Sequence, residues 1–396
     1  MKLFLFFLAL THITCQERPA PALQAVEVPA LKSGQNVVFL GDSITWQNLY
    51  TTYIEQYFTG RYPDKKYRFI NRGVRGDTVA EAIARIQRDV IGEKPDLVLV
   101  MLGMNDGGYK GYNQGLLKFY LGNLEKLVGL LRKKTEAKII LVTPTCMEPV
   151  DYRAERYNKM LSAMAAGVVD LGKKLKVPVI DLFPFFSRKL KEARSHQPPV
   201  RLMRDPIHPG PVGHLIIAHH LLTFLDPKPV VIKPIVVNLE PGQTAFELTP
   251  VRRGVYFPRA VLPLVPFQER FNRQLLVVKG VREPVKLLAG DAELGVFTPG
   301  KLAAGIDIFS LQNAPWVGEA ERYHRLLQER WLWFYCLWDP NQAGEEVLQE
   351  ISPLGKRAPR LTRAEAQQAF DDAVLMLKEM KPDQPATYPI KVLPGK

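Results

Sequence analysis

Residues 36–225 alternate between short apolar runs and longer segments with the spacing of amphipathic helices. The apolar runs lie at 36–40, 67–71, 96–102, 138–143 and 177–182, and the helical segments at 47–59, 79–91, 115–134, 153–176 and 211–225. Strands that are apolar throughout are covered on both faces, and strands that alternate with helices usually pair in parallel. The pattern predicts a three-layer α/β/α domain with a doubly wound, five-stranded parallel sheet. Its ligand crevice should lie beyond the carboxyl ends of the strands.

The composition changes after residue 226. Residues 227–312 are rich in valine, proline and short alternating runs, which predict a module of antiparallel strands. From Trp316 to Trp338, apolar and aromatic residues recur every three or four positions, so we expect one long amphipathic helix with this stripe in a core. The chain is therefore divided into an export signal (1–22), the doubly wound domain (30–226), a β-rich accessory module (227–312) and a helical C-terminal extension (313–396).

The first 22 residues have the features of an export signal. Lys2 precedes an apolar core at residues 3–10, which is too short to cross a bilayer because a helical span needs roughly 20 residues. Cys15 stands where a lipoprotein signal places its lipidated cysteine, although residues 12–14 fit that signal poorly. We expect an exported protein, periplasmic or extracellular, without a transmembrane segment. A lipid anchor through Cys15 stays open as an alternative.

The formal net charge is +13, but the basic runs lie within helical patterns. Aromatic residues do not interleave with them, and no nucleic-acid-binding motif accompanies them, so solvated helix faces are the favoured interpretation. We expect no nucleic-acid partner, and attraction to an acidic polysaccharide or an anionic surface stays open. Three cysteines far apart in a chain of this size do not make a disulfide framework.

Gly41, Asp42 and Ser43 directly follow the first apolar run. One interpretation is ordinary turn chemistry, in which Asp or Ser caps the helix that follows. The other is that Ser43 is a nucleophile held where a strand ends and a helix begins. A serine hydroxyl attacks only when a base takes its proton and a further group orients that base. The choice therefore depends on partners elsewhere in the chain.

A candidate base and its orienting group occur in one loop stiffened by proline. Asp205 and His208 are three residues apart, just before the last helical segment of the doubly wound domain. This spacing lets the carboxylate accept from one imidazole nitrogen while the other nitrogen faces the rim of the sheet. A metal site built from Asp205, His208 and His214 is a weaker alternative, because nothing supplies a Cys or a further His at ligand spacing.

Attack on an ester also requires hydrogen-bond donors aimed at the developing oxyanion. Gly73 and Gly76 follow the second apolar run, and a residue without a Cβ lets its backbone N–H approach a ligand closely. Asn105 follows the third run and carries a neutral side-chain donor. Each of these residues is also common in ordinary turns, so each one alone is a weak signal.

Four short blocks occur in order along the first half of the chain: GDS at 41–43, GVRGDT at 73–78, GMND at 103–106 and DPIH at 205–208. Together they resemble the blocks of the SGNH (GDSL-type) serine hydrolases, in the bacterial secreted form that carries a C-terminal extension. The resemblance implies a flavodoxin-like α/β fold and a serine esterase that needs no metal or organic cofactor. Ile44 stands where many members have leucine, an apolar exchange.

The resemblance also implies a role for each matching position. Ser43 would be the nucleophile, His208 the general base and Asp205 the group that fixes its tautomer. The backbone N–H groups of Ser43 and Gly76 and the side-chain amide of Asn105 would form the oxyanion hole. Asp42 is expected to hold the turn through backbone hydrogen bonds.

The family cleaves many kinds of acyl ester, and fold and triad do not choose among them. Trp46 and Met104 are bulky residues expected to narrow the acyl side, while Tyr109 and Tyr112 would offer flat faces to the leaving group. We therefore expect a small-molecule or carbohydrate ester as substrate, with short-chain (acetyl) esters of a carbohydrate favoured. A lysophospholipase-like or thioesterase-like acyl hydrolase is the alternative, and a non-catalytic envelope carbohydrate-binding protein is the alternative from another class. The sequence does not indicate the oligomeric state.

Overall fold

The structure is a computed structural model that describes residues 31–338, 362–380 and 386–395. The predicted export signal and Cys15 lie outside the described residues. Within the described part, no helix combines the length and the apolar character needed to cross a membrane.

A five-stranded parallel sheet forms the centre of the N-terminal half. Its strands are β1 (Asn36–Gly41), β2 (Arg68–Gly73), β3 (Leu97–Met101), β4 (Lys138–Val142) and β5 (Val179–Ile180), in the order β2-β1-β3-β4-β5. The inner strands β1 and β3 are almost entirely buried, which is typical of strands covered by helices on both faces. The predicted doubly wound α/β/α domain is confirmed.

Seven helices cover this sheet: α1 (Ser43–Trp46), α2 (Leu49–Arg61), α3 (Val79–Asp89), α4 (Gln114–Lys134), α5 (Tyr152–Leu175), α6 (Leu182–Ser195) and α7 (Pro211–Leu225). The sequence patterns placed no helix at α6. Its buried residues Leu182, Phe186, Leu190 and Ala193 do recur every three or four positions. The signal was hidden because Leu182 ends the apolar run 177–182, so the start of the helix was assigned to the strand.

The topology of the sheet brings three of the four sequence blocks together. Because the strands are parallel, all their carboxyl ends lie along one edge. Ser43 follows β1, Gly76 follows β2 and Asn105 follows β3, and β1 lies between β2 and β3 in the sheet. The three loops are therefore neighbours at this edge, in the crevice where ligands of doubly wound folds bind.

Close backbone approaches at this edge require two glycines. A Cβ on Gly41 would lie 2.0 Å from Oγ1 of Thr45, and a Cβ on Gly73 would lie 2.2 Å from the backbone nitrogen of Trp46. Real Cβ atoms do not approach other atoms this closely, so larger residues would push α1 away from the strand ends. Glycine at these two positions lets α1 fold directly against β1 and β2.

Two further sheets follow residue 226. One contains β6 (Ile235–Asn238), β8 (Leu275–Lys279) and β11 (Ile306–Asp307), in the order β11-β8-β6. The other contains β7 (Ala245–Leu248), β9 (Val285–Ala289), β10 (Ala292–Phe297) and β12 (Tyr388–Pro394), in the order β10-β9-β12-β7. The short helix α8 (Pro299–Ala304) lies between β10 and β11.

The expectation of antiparallel strands is wrong for one pair, since β6 and β8 are parallel. Between β6 and β8 the chain forms β7 in the other sheet. It can therefore return to the first sheet with β8 running in the same direction as β6.

Two segments after residue 226 have contacts that the local sequence patterns did not indicate, and the predicted domain boundaries stay a prediction. Residues of the segment 255–271, assigned to the accessory module, belong to the core of the doubly wound domain, among them Val255, Phe257, Val261, Phe267 and Phe271. The helical extension predicted for 313–396 contains α9 (Pro315–Trp338) and α10 (Arg363–Glu379), but it ends in β12. That strand pairs with β7 and β9. Its side chains alternate between the two faces of the sheet, so Ile390 and Val392 are buried while Pro389 and Lys391 are exposed.

Helix α9 packs against the doubly wound domain through polar as well as apolar contacts. Gln56 on α2 donates from Nε2 to the carbonyl oxygen of Ala320 at 2.8 Å and bonds through Oε1 to Nδ1 of His324 at 3.0 Å. Nε1 of Trp331 donates to the carbonyl oxygen of Trp46 at 3.0 Å. The aromatic stripe of α9 is thus an interior surface, as its helical spacing predicted.

We predict that a fragment ending at residue 228 will not fold as the full chain does. It loses the core residues of 255–271 and exposes the surface that α9 covers, so size-exclusion chromatography should show aggregates and circular dichroism should show no cooperative thermal transition. A milder change, Trp331→Phe in the full chain, removes the hydrogen bond to Trp46 and leaves a small cavity where the larger indole packed. It should cost about 2 kcal/mol of unfolding free energy. A monomeric fragment with the Tm of the full chain would show instead that the doubly wound domain is independent.

Candidate active site

Ser43 is the first residue of α1, directly beyond the end of β1. A side-chain oxygen of Asp42 accepts a hydrogen bond from the backbone N–H of Ile44 at 2.9 Å and so caps the helix. Ser43 itself is 8% exposed. Asp42 is therefore the residue that caps the helix. The hydroxyl of Ser43 is not needed for capping and can contact another residue at the carboxyl edge of the sheet.

That contact is with the loop before α7. Oγ of Ser43 lies 3.0 Å from Nε2 of His208, and Nδ1 of the same ring lies 2.8 Å from Oδ2 of Asp205. The structure thus brings together three side chains of which the first and last are 165 positions apart. The arrangement can pass a proton from the hydroxyl to an imidazole whose other nitrogen faces a carboxylate.

The environment of Asp205 keeps its carboxyl group ionised. Burial raises its pKa, but the backbone N–H groups of His208 and Ile207, both 2.8 Å from Oδ1, and the imidazole ring lower it by more. The pKa of Asp205 consequently lies below its ordinary value. An ionised carboxylate beside Nδ1 holds the proton on that nitrogen and leaves Nε2 as the acceptor for a serine O–H.

Backbone hydrogen bonds fix the loop that carries Asp205 and His208. The N–H of Arg204 donates to the carbonyl oxygen of His208 at 2.8 Å, and the N–H of Gly210 donates to that of Leu202 at 2.7 Å. The N–H of Glu148, from the segment after β4, donates to the carbonyl oxygen of Pro206 at 2.8 Å. The loop is held from both sides, so the imidazole is oriented before any ligand binds.

The loops after β2 and β3 are joined by a side chain. Nδ2 of Asn105 donates to the backbone carbonyl oxygen of Asp77 at 2.9 Å, and Oδ1 of Asn105 accepts from the hydroxyl of Tyr109 at 2.7 Å. Gly76, next to Asp77, has φ of 77°, in the left-handed region that favours glycine. Gly76 and Asn105 thus lie in adjoining loops at the same sheet edge as Ser43.

A cavity of about 510 Å³ opens beside His208. Tyr109, Tyr157 and Ile207 form part of its apolar wall, and Arg153 contributes a charged group. Its volume lies within the usual range of small-molecule sites. Tyr157 and Arg153 were not singled out from the sequence, because both fall in the first turns of α5, where the pattern showed only an amphipathic helix.

The four residues predicted to contact substrate have different surroundings. Tyr109 lines the cavity beside His208 and is 44% exposed, and Tyr112 is 58% exposed without lining that cavity. Trp46 is 3% exposed and packs edge-on against Tyr335 of α9, and Met104 is 1% exposed within the main core. Trp46 and Met104 are therefore packing residues and do not line the cavity. Trp46 is buried because α9 covers it, and the local sequence gives no sign of this contact.

His214, the third ligand of the metal alternative, makes a different contact. Its Nε2 bonds to Oε1 of Gln47 at 2.9 Å, and burial lowers its pKa to about 3. Across residues 31–338, 362–380 and 386–395, no group of three or more His, Cys, Asp or Glu side chains is placed to hold a metal ion. The described residues give the metal alternative no support.

Three carboxyl groups lie in the loops that carry Ser43, Gly76 and Asn105, and Asp42 and Asp77 are buried while Asp106 is partly buried. Burial raises the pKa of Asp42 to about 7 and that of Asp77 and Asp106 to about 6. Nε of Arg85 donates to Oδ2 of Asp77 at 2.7 Å and offsets part of this effect. The loops thus contain titratable groups that favour the protonated state more than ordinary carboxyls do.

These pKa values predict that Asp106→Asn will reduce the pH dependence of stability. The pKa of Asp106 is higher in the folded than in the unfolded chain, so its stabilising contribution is complete below about pH 4 and is lost as the pH rises through about 6. Asparagine does not ionise, so the wild type should lose roughly 1 kcal/mol more than the variant between about pH 5 and pH 8. Denaturant unfolding measures this difference, with the exposed Asp170→Asn as control. Parallel curves for wild type and Asp106→Asn would contradict the prediction.

Comparison with known proteins places this domain. Residues 39–216 match the model of the GDSL-like Lipase/Acylhydrolase family. An acetylxylan esterase of Geobacillus stearothermophilus is 29% identical over 216 residues, covering 48% of this chain and 93% of the relative. An arylesterase of Vibrio mimicus is 28% identical over 196 residues, covering 48% of this chain and 87% of the relative.

A solved structure resembles nearly the whole chain. The structure of a gut microbial diltiazem-metabolizing enzyme has a TM-score of 0.76, with 19% identity, and the match covers 93% of this chain and 100% of that one. At this identity the likeness concerns the fold, and it includes the region after residue 226. The family match itself extends from β1 into α7 and contains all four sequence blocks. Residues 39–216 therefore form a GDSL-like lipase/acylhydrolase domain, and the chain is a carboxylic ester hydrolase.

Proposed function

We propose that this protein removes acetyl groups from a carbohydrate, with Ser43 as nucleophile, His208 as general base and acid, and Asp205 as the group that orients His208. The observation that carries the proposal is the pair of contacts at 3.0 Å and 2.8 Å that links the three side chains. A hydroxyl at the end of a strand and an imidazole backed by an ionised carboxylate are what acyl transfer to serine requires.

In this mechanism, Nε2 of His208 takes the proton of Ser43 as Oγ attacks the carbonyl carbon of the ester. The bond from carbon to the alcohol oxygen then breaks, and the imidazolium gives its proton to the departing alcohol. Water repeats the sequence on the acyl-enzyme, with His208 again as base, and releases acetate and free Ser43. The carboxylate of Asp205 stabilises the imidazolium in both halves.

We assign the oxyanion to the backbone N–H groups of Ser43 and Gly76 and to the side-chain amide of Asn105. The N–H of Ser43 is at the N-terminus of α1, where backbone donors have no partner within the helix. Gly76 and Asn105 lie in the two neighbouring loops of the sheet edge. Loss of one such donor typically raises the barrier by about 3 kcal/mol.

The surroundings of Ser43 favour a small acyl group and a larger alcohol. Ile44, Thr45 and Trp46, which follow Ser43 in α1, are buried, whereas the cavity opens beside His208. The alcohol must leave on the histidine side because His208 protonates it. There the rings of Tyr109 and Tyr157 offer flat apolar faces that suit a sugar ring.

The comparisons and the sequence add support for the substrate class. The relative with 29% identity is named an acetylxylan esterase, which is an enzyme for acetylated carbohydrate. Export, inferred from residues 1–22, would bring the protein to polysaccharides outside the cytoplasm. The apolar residues Met147, Val150 and Ile207 in the cavity wall are the observation that favours the second candidate, a lysophospholipase-like hydrolase.

A series of p-nitrophenyl esters tests the proposal. Extending the acyl chain from acetyl to octanoyl should lower kcat/KM at least about tenfold, a difference of about 1.4 kcal/mol, because the longer chain meets packed residues beside Ser43. Ser43→Ala is the control, and it should lose nearly all turnover of every ester in the series.

Two results would overturn the proposal in different ways. If octanoyl is cleaved as well as acetyl, the acyl side is open and the lysophospholipase-like candidate takes precedence. If Ser43→Ala hydrolyses the esters as fast as the wild type, Ser43 is not the nucleophile.

A further inference from the structure

Tyr109 has an unusual backbone conformation beside the cavity. Its φ is 57°, and it follows Gly108 with φ of 59° in the loop after β3. A bulky residue in the left-handed region is strained and persists only where the surrounding structure holds it. The contacts of its side chain show what holds Tyr109.

The ring and the hydroxyl of Tyr109 are both engaged. The ring packs against Tyr157 with centroids 5.1 Å apart, and the hydroxyl of Tyr157 is itself bonded to the carbonyl oxygen of Met104 at 2.5 Å. The N–H of Gly108 donates to the carbonyl oxygen of Asn105 at 3.0 Å and closes the turn. The chain is thereby bent back so that the hydroxyl of Tyr109 reaches Oδ1 of Asn105 at 2.7 Å.

Both ends of the Asn105 amide are consequently fixed. The carbonyl oxygen of Asp77 can only accept, so it binds one of the two hydrogens on Nδ2, at 2.9 Å. The hydroxyl of Tyr109 donates to Oδ1 and prevents the amide from rotating about the remaining bond. Burial raises the pKa of Tyr109 to about 12, so this hydroxyl keeps its proton near neutral pH.

One hydrogen on Nδ2 is left for a ligand. An amide whose oxygen accepts a hydrogen bond becomes a stronger donor through its nitrogen, because hydrogen bonds in a chain polarise one another. Tyr109 thus affects both the direction and the strength of the donor assigned to the oxyanion, although its hydroxyl points to Asn105.

We propose that Tyr109 is a positioning residue, whose hydroxyl holds the Asn105 amide so that its second N–H faces the developing oxyanion. The inference rests on the proposed function, since it presupposes that Ser43 is acylated and that Asn105 is an oxyanion donor. It gives the hydroxyl of Tyr109 a role in addition to the one expected from the sequence, in which the ring contacts the leaving group.

The test is a double-mutant cycle between Tyr109→Phe and Asn105→Ala, measured on p-nitrophenyl acetate. Phenylalanine keeps the ring against Tyr157 and removes only the hydroxyl, so the variant should fold. We expect kcat to fall about tenfold or more, by analogy with the loss of an oxyanion donor, while KM changes less than about twofold. In the Asn105→Ala background, the same substitution should change kcat little, because its target is gone.

Tyr67→Phe is the matched control, since Tyr67 precedes β2 at the opposite edge of the sheet, and its kcat should equal that of the wild type. Tm values for all variants show that each is folded at the assay temperature. An effect of Tyr109→Phe on KM alone, or an equal loss of kcat with and without Asn105, would overturn the inference and indicate direct contact with substrate.

The outcomes distinguish this inference from the proposed function. If Ser43→Ala is inactive and Tyr109→Phe has wild-type kcat, only the positioning role fails. If Ser43→Ala is active, the assignment of the nucleophile fails first, whatever Tyr109 does.

Discussion

The contact between Oγ of Ser43 and Nε2 of His208 is the interaction on which the site depends. It joins the end of β1 to the loop before α7, so its length depends on how those two parts of the fold meet. The parallel sheet sets the first position by ending all strands at one edge. Backbone hydrogen bonds on both sides of the second loop set the other. A small displacement of either would separate the hydroxyl of Ser43 from the imidazole of His208.

Helix α9 of the C-terminal half packs against this edge of the sheet through contacts with Trp46. The indole of Trp331 on α9 bonds to the backbone of Trp46 at the end of α1, and Arg75 lies over the ring of Trp46 at 5.6 Å. Arg75 precedes Gly76, so the buried ring of Trp46 links α1, which begins at Ser43, to the loop after β2. Segment 255–271 packs elsewhere in the same domain, where Phe271 contacts Tyr57 of α2 and His219 of α7. The accessory region is therefore part of what holds the site, in addition to any role in recognition.

Sequence patterns predicted the parts of this structure that depend on local information. Apolar runs and helical periods predicted the five strands and most of the helices, and three of the four blocks lie on loops that the sheet order makes neighbours. The burial of Trp46 could not be predicted, because it depends on a helix almost 300 positions further along the chain. Two other features also depend on contacts between residues far apart in sequence. Segment 255–271 packs in the core of the doubly wound domain, and β12 pairs with β7 and β9. The orientation of Asn105 by Tyr109 depends on a left-handed residue that no pattern marked.

Covalent labelling measures the central claim, that His208 activates Ser43 for attack, most directly. Wild-type protein treated with a fluorophosphonate, which phosphonylates an activated serine, should gain one adduct, and mass spectrometry of its peptides should place it on Ser43. The His208→Ala variant, with the base removed, should react far more slowly under the same conditions. An adduct on another residue, or equal labelling rates for the two proteins, would contradict the account.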